Sequence, residues 1–243
     1  TKADMDTPFL AVDLDKMESN ISQVVAGIEK FNVQWRPHCK GHKSPDVARK
    51  LTAAGAIGST CAKLAEAEAL ARGGVTDLLI ANLIVGDKKL QRLAALCEIA
   101  NPVVCIDHID QAKPMNAAMV EAGVQVRVII EINIGLDRVG CGAQQTNTLA
   151  QQLSKLPGLK FSGIMGYEGH LLTIADPVEK KTKIEAAKIC QLSGCYMAIA
   201  NGNHKNPIKE IIENQKCTWF LPKISKLDAR KQWIIGSVAP RGE

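Results

Sequence analysis

The sequence predicts an α/β protein of the TIM (β/α)8-type barrel class, incomplete, with about six recognisable strand–helix units. Three observations carry the prediction. The β-branched runs are continuous rather than alternating, as parallel strands buried on both faces require. Alanine-rich amphipathic segments separate them at roughly 20–30-residue spacing. Finally, no Gly-x-Gly-x-x-Gly turn opens the first unit, as a dinucleotide-binding doubly wound sheet would need, and Gly140-Cys141-Gly142 does not build one.

Taken in order, the first strand is the short apolar run Val33 to Arg36. One pattern then recurs: a helical segment ends in Gly, which accepts the left-handed conformation that closes a helix, and an apolar strand follows at once. It appears at Leu51 to Gly55 before Ala56 to Cys61, and at Ala69 to Gly74 before Val75 to Ala81. It returns at Met119 to Gly123 before Val124 to Ile132, and at Leu153 to Gly158 before Leu159 to Met165. Val103 to Asp107 supplies a further strand, and Ala62 to Arg72 and Asp87 to Ile99 read as amphipathic helices. Barrel active sites lie at strand C-termini, which here carry Lys40, Cys61 with Lys63, Asn82, Asp107, Asn133 to Arg138 and Tyr167 to His170.

The chain has 243 residues, 46% of them hydrophobic and 23% charged, an ordinary globular balance. The net charge of +5 is unevenly placed: residues 1–187 carry 21 basic and 21 acidic side chains, whereas 188–243 carry nine basic against four acidic. With 4% aromatic residues and a neutral main body, nucleic-acid binding is not expected. The eight cysteines are scattered without a Cys-x-x-Cys pair, and Cys105 sits in an apolar run as a small core residue would. No signal pattern or membrane-length apolar segment is visible, so a cytoplasmic protein with no membrane partner is expected.

Arg36-Pro37-His38-Cys39-Lys40-Gly41-His42-Lys43 is the densest chemistry in the chain. Neighbouring positive charge and desolvation both favour a neutral lysine amine, the form that attacks a carbonyl. Pro37 and Gly41 oppose the helix that would set His38 and His42 on one face, so the pair is not read as a metal site. Gly41-His42-Lys43-Ser44 lacks the upstream glycine of a phosphate loop.

Taken in order, Asp6-Thr7-Pro8, Asp13-Leu14-Asp15, Arg36 to Pro45, Cys61 to Glu68, Glu131 to Gly140 and Gly163 to His170 resemble the D-threonine aldolase / D-serine dehydratase family. These are pyridoxal-phosphate (PLP) enzymes on an alanine-racemase-like barrel, and the resemblance runs from about residue 6 to about residue 187. It implies that Lys40 forms the Schiff base with PLP and that His38 supports it. By the same resemblance Arg138 holds the cofactor ring or a substrate carboxylate, Tyr167 contacts cofactor or substrate, and His170 serves as acid, base or orienter. The implied activity is retro-aldol cleavage of D-β-hydroxy amino acids. Dehydration of the D-serine dehydratase type and racemisation use the same barrel residues, which do not choose among the three.

The family also uses a divalent metal, a Ser-Gly-Gly-Thr-like phosphate turn and a C-terminal β domain. None is visible here, and no metal ligand is assigned. The sequence therefore divides into a PLP barrel at 1–187 and a divergent basic tail of unassigned role at 188–243, in which Cys217 to Ile224 and Gln232 to Ala239 have strand composition. A non-catalytic barrel remnant acting as a binding or interaction protein is the competing expectation. Six units without closure leave unpaired edges that invite association, such as a homodimer.

Overall fold

The structure is a computed structural model that describes residues 4–29 and 33–182, with two further short strands at 197–200 and 217–220. Its centre is a five-stranded parallel sheet: β1 (Ser59–Cys61), β2 (Asp77–Leu83), β3 (Asn101–Ile106), β4 (Val126–Ile132) and β5 (Leu159–Gly166), neighbours in space in the order of the chain. Helices α1 (Leu14–Glu29) and α2 (Pro45–Ala53) precede it. Helices α3 (Leu64–Arg72), α4 (Asp87–Ile99), α5 (Ile109–Glu121) and α6 (Thr146–Leu153) lie between successive strands, and α7 (Pro177–Thr182) follows. Sequential order with a helix in every connection is the wall of a barrel, since a doubly wound sheet would reverse direction partway. The remaining strands, β6 (Met197–Ala200) and β7 (Cys217–Phe220), form a separate antiparallel pair, the second within the expected Cys217 to Ile224 segment. Gln232 to Ala239 lies outside the described residues.

Side chains alternate between the two faces of each strand. The face toward the helices carries Leu78, Ile80, Val104, Ile106, Val128 and Ile130, all fully buried. They pack on Leu70, Leu93, Met115, Met119 and Leu153 of α3 to α6. The opposite face, toward the barrel interior, carries Leu79, Ala81, Arg127 and Ile129, which remain half-buried.

Two local expectations change. Val33 to Arg36 is not a strand; the chain meets β1 through a single bridge, His38 opposite Thr60. Three backbone bonds still tie the segment down: Ile57 donates to Trp35, Thr60 to Pro37, and Cys39 to Thr60. Pro37 has no N–H to give, so the ladder stops short of a strand. Gly158 also differs from Gly55, Gly74 and Gly123, which take the positive φ expected after a helix. At Gly158 the need is space, because a Cβ there would lie 2.8 Å from the Asn116 carbonyl oxygen.

At the N-terminal end of the sheet three charges meet. The Asp77 carboxylate pairs with Arg36 at 2.7 Å and with Arg127 at 3.1 Å, and both guanidiniums are mostly buried. Arg36 also donates to the Asp77 carbonyl at 3.1 Å. A carboxylate shared by two guanidiniums leaves both uncompensated if it is lost. Asp77→Ala is expected to destabilise the fold by about 2 kcal/mol, read as a lowered urea midpoint at unchanged slope; an unchanged midpoint would mean that solvent screens the cluster.

Candidate active site

A cavity of about 590 Å³ opens at the C-terminal ends of the strands, with His38, Lys40, Thr60, Glu131, Arg138 and Tyr167 among its walls. Its geometry starts from the His38–Thr60 bridge. His38 and Lys40 share one side of the chain and line the cavity, whereas Cys39 between them turns into the helix-facing core and meets the Cys61 thiol at 3.7 Å. The Lys40 amide donates to His38 Nδ1 at 3.2 Å, so the ring braces the turn that carries the lysine. Burial first, and the Lys40 charge second, hold the His38 imidazole below its usual pKa, which keeps that nitrogen free to accept.

The second lysine of the motif is directed elsewhere. Lys43, at a positive φ of 52°, places its amine 3.9 Å from Glu66, whose other oxygen accepts the Ala62 amide at 2.7 Å. His42 Nδ1 accepts the Ser44 amide at 3.0 Å, and burial holds its pKa down. His38 and His42 therefore serve separate turns.

The loop after β4 presents Arg138. Asn133 folds it: its side-chain carbonyl accepts the Gly135 and Asp137 amides at 3.0 and 3.2 Å, and its NH₂ donates to Asp137 at 2.8 Å. Asp137 is thus Asn133's partner, not a surface mate for Arg138. The loop closes where Cys141 donates to the Glu131 carbonyl and Gly140 donates to the Asp107 carboxylate at 3.0 Å. Gly140 has φ 104°, and a Cβ there would stand 2.5 Å from the Asn133 nitrogen, so only glycine closes this loop.

Released by this fold, the Arg138 guanidinium lies 5.5 Å from the centroid of the Tyr167 ring, in cation–π range. Tyr167 faces the cavity because β5 gains one residue: Val128 pairs with Phe161, but Ile129 pairs with Gly163. Past that slip at Ser162, Met165 stands opposite Glu131, and Tyr167 follows two residues on, on the same side.

Of the remaining expected residues, Asn82 lines the cavity, while Lys63 belongs with Lys89 and Arg92 to an adjoining pocket of about 220 Å³. Cys61 lies in the outer core. His170 is on the 3₁₀ turn Gly169–Thr173, packed so closely on Gly135 that a Cβ there would lie 2.8 Å from its Nε2. It braces the Arg138 loop and is not among the residues lining the cavity. Sequence reasoning missed Glu131, a buried cavity residue; the signal was a lone acid inside the apolar run Val126–Ile132. Among the described residues, no group of three or more His, Cys, Asp or Glu side chains is placed to hold a metal.

A parallel barrel wall with a lysine after its first bridge, and an arginine and a tyrosine at later strand ends, defines a class. The chain belongs to the family described as alanine racemase, N-terminal domain, whose model matches residues 12–206. It is similar to the D-threonine aldolase of Arthrobacter sp., 35% identical over 190 residues, covering 78% of this chain and 48% of that protein. The 3-hydroxy-D-aspartate aldolase of Paracoccus denitrificans is 32% identical over 189 residues, with 76% and 49% covered. Among solved structures, D-threonine aldolase from Filomicrobium marinum superposes with a TM-score of 0.72 at 38% identity, covering 77% of this chain and 51% of that one. The chain thus spans about half the length of these relatives. A stretch of 62 residues, 26% of the chain, is 74% identical to 17% of the glutamate 5-kinase of Pelagibacter ubique.

Burial raises the Cys39 thiol above its usual pKa and the Cys61 thiol well above it, so neither carries appreciable thiolate at neutral pH. Both are expected to resist maleimide labelling in the folded protein and to label fully in urea, as peptide mass spectrometry would read; rapid labelling of Cys39 in the folded chain would contradict the outward-facing assignment.

Proposed function

We propose that the barrel segment binds PLP through Lys40 and belongs to a lyase that cleaves D-β-hydroxy amino acids, as D-threonine aldolases do. The observation that carries this reading is the convergence of the Lys40 amine with Arg138 and Tyr167 on one cavity at the strand C-termini. The donor set fits an anionic aromatic aldehyde: an amine to condense with it, a guanidinium for an anionic oxygen, and a phenol beside it. When bound, PLP supplies an electron sink for a bond broken at Cα.

The chain's own groups have distinct tasks in this reading. His38, kept neutral, fixes the turn that aims Lys40, and the Lys40 amine is the group able to carry a proton at the reacting face. Arg138 binds the oxygen anion, and its planar fork sets orientation where a lysine would not. The Tyr167 ring backs that guanidinium, and its hydroxyl can donate to, or accept from, a substrate oxygen. These residues serve cleavage, dehydration and racemisation alike; the aldolase relatives favour the first. The buried thiols, such as Cys39, Cys61 and Cys105, support a reducing, cytoplasmic setting.

We further infer that the glutamate 5-kinase-like stretch takes in the basic tail at 188–243 and, being 62 residues long against the tail's 56, begins upstream of it. The aldolase motifs begin at Asp6, which leaves no room for 62 foreign residues before them. The change in charge after residue 187 coincides with the end of the motif series. The chain then joins a barrel of one family to a stretch matching 17% of a kinase of another, a share too small to carry phosphoryl transfer by itself. No ADP release above background is expected with L-glutamate, ATP and Mg²⁺ in a coupled assay; sustained release would overturn the fragment reading.

PLP added to the full chain is expected to shift its visible absorbance and, after borohydride reduction, to leave a covalent mass on the peptide containing Lys40. Lys40→Ala should lose both signals. An adduct on another lysine, undiminished in that variant, would remove the assignment. Formation of glycine and acetaldehyde from D-threonine then separates a lyase from a barrel that only binds.

A further inference from the structure

Glu131 is a carboxylic acid in an unusual place. It occupies a cavity-facing position of β4 and yet is only 3% exposed, the one buried acidic side chain among the described residues. Its Oε2 is buried and has no hydrogen-bond partner among the described residues. A buried carboxyl oxygen without a donor is costly, and the cost falls when a cation approaches. The groups facing it are few. From β3 and the loop after it come the Cys105 thiol and the Asp107 carboxylate, the latter already bonded by Gly140. From β5 comes uncharged Met165, with Tyr167 beyond it. From the loop after its own strand comes Arg138. His38 and Lys40 line the same cavity from the far side.

We propose that Glu131 is a positioning residue for Arg138: the buried carboxyl is the second seat of a guanidinium that in this structure rests on the Tyr167 ring, and taking that seat turns the fork toward a ligand in the cavity. The guanidinium has five N–H donors, enough for the orphaned oxygen on one edge and an anion on the other. This deepens the PLP reading and rests on it for the identity of the ligand, but not for the coupling between the two residues.

The coupling can be read without any ligand. Burial first, with Asp107 adding and Arg138 opposing, raises the Glu131 pKa above its value in the unfolded chain. A raised folded pKa means that the folded state holds the extra proton, so this contribution to stability is full below the unfolded value and is lost as pH rises through the folded one. Thermal unfolding of the full chain without cofactor, across pH 4 to 8, reads it for wild type, E131Q, R138A and the double variant. E131Q should remove this component of the pH dependence. R138A should carry the loss to higher pH, because the cation that favours the charged carboxyl is gone, and the double variant should follow E131Q. An R138A curve superimposable on wild type overturns the proposal, and that arm decides even if E131Q does not fold.

PLP titration by fluorescence gives the second readout. E131Q and R138A should each weaken binding about tenfold, and the double variant no more than R138A alone. Multiplied losses in the double variant would mean that Glu131 acts independently of Arg138. Should wild type bind no PLP, the functional reading fails, while the unfolding curves still judge the Glu131–Arg138 pair.

Discussion

The site depends on one backbone hydrogen bond, from Cys39 to the Thr60 carbonyl at 2.8 Å. It fixes which way three consecutive side chains point. With Cys39 sealed into the helix-facing core against Cys61, His38 and Lys40 have only the cavity side left. A shift of one residue would bury the lysine among α2 and α3 and present a thiol to the mouth. Thr60 donates in turn to the Pro37 carbonyl. The placement of the Lys40 side chain is thus decided by main-chain geometry and a small apolar side chain.

Much of this was legible in the sequence, for identifiable reasons. Buried parallel strands advertise themselves as unbroken β-branched runs, which is why Val103–Val104–Cys105–Ile106 and Val126–Ile132 read correctly. The Gly after each helix was legible where φ demanded it and misleading at Gly158, where the demand is spatial. Val33 to Arg36 looked like a strand because composition does not register that Pro37 withholds a donor. In the site, the family resemblance named Lys40, Arg138 and Tyr167, which the structure brings to one cavity. It did not tell that Asp137 belongs to Asn133, nor that His170 lies on Gly135, because both depend on how a loop folds over itself. Glu131 was quoted only as the first residue of a motif, because a lone acid in an apolar run signals burial but not what the buried carboxyl faces.

The two ends of the sheet divide the work. At the N-terminal end, Asp77 holds two guanidiniums with direct ion pairs, an arrangement suited to holding strands together. At the C-terminal end a guanidinium rests on an aromatic face, and the Glu131 carboxyl has no ion pair among the described residues. Groups that already have partners add rigidity, and groups that lack them retain interaction energy for a ligand. The same chemistry, acid and arginine, is therefore structural at one rim and available at the other.

The extra residue at Ser162 gives β5 two reading frames. Below it, Leu159 and Phe161 answer to the helix layer; above it, Gly163 and Met165 answer to the barrel interior, and Tyr167 continues that phase. Removing one residue anywhere between them would rotate the phenol out of the mouth while leaving the lower strand and its packing intact. Lineages carrying such a deletion would keep the architecture but line the cavity differently, so the length of this strand decides what the mouth presents as much as the identity of any residue within it.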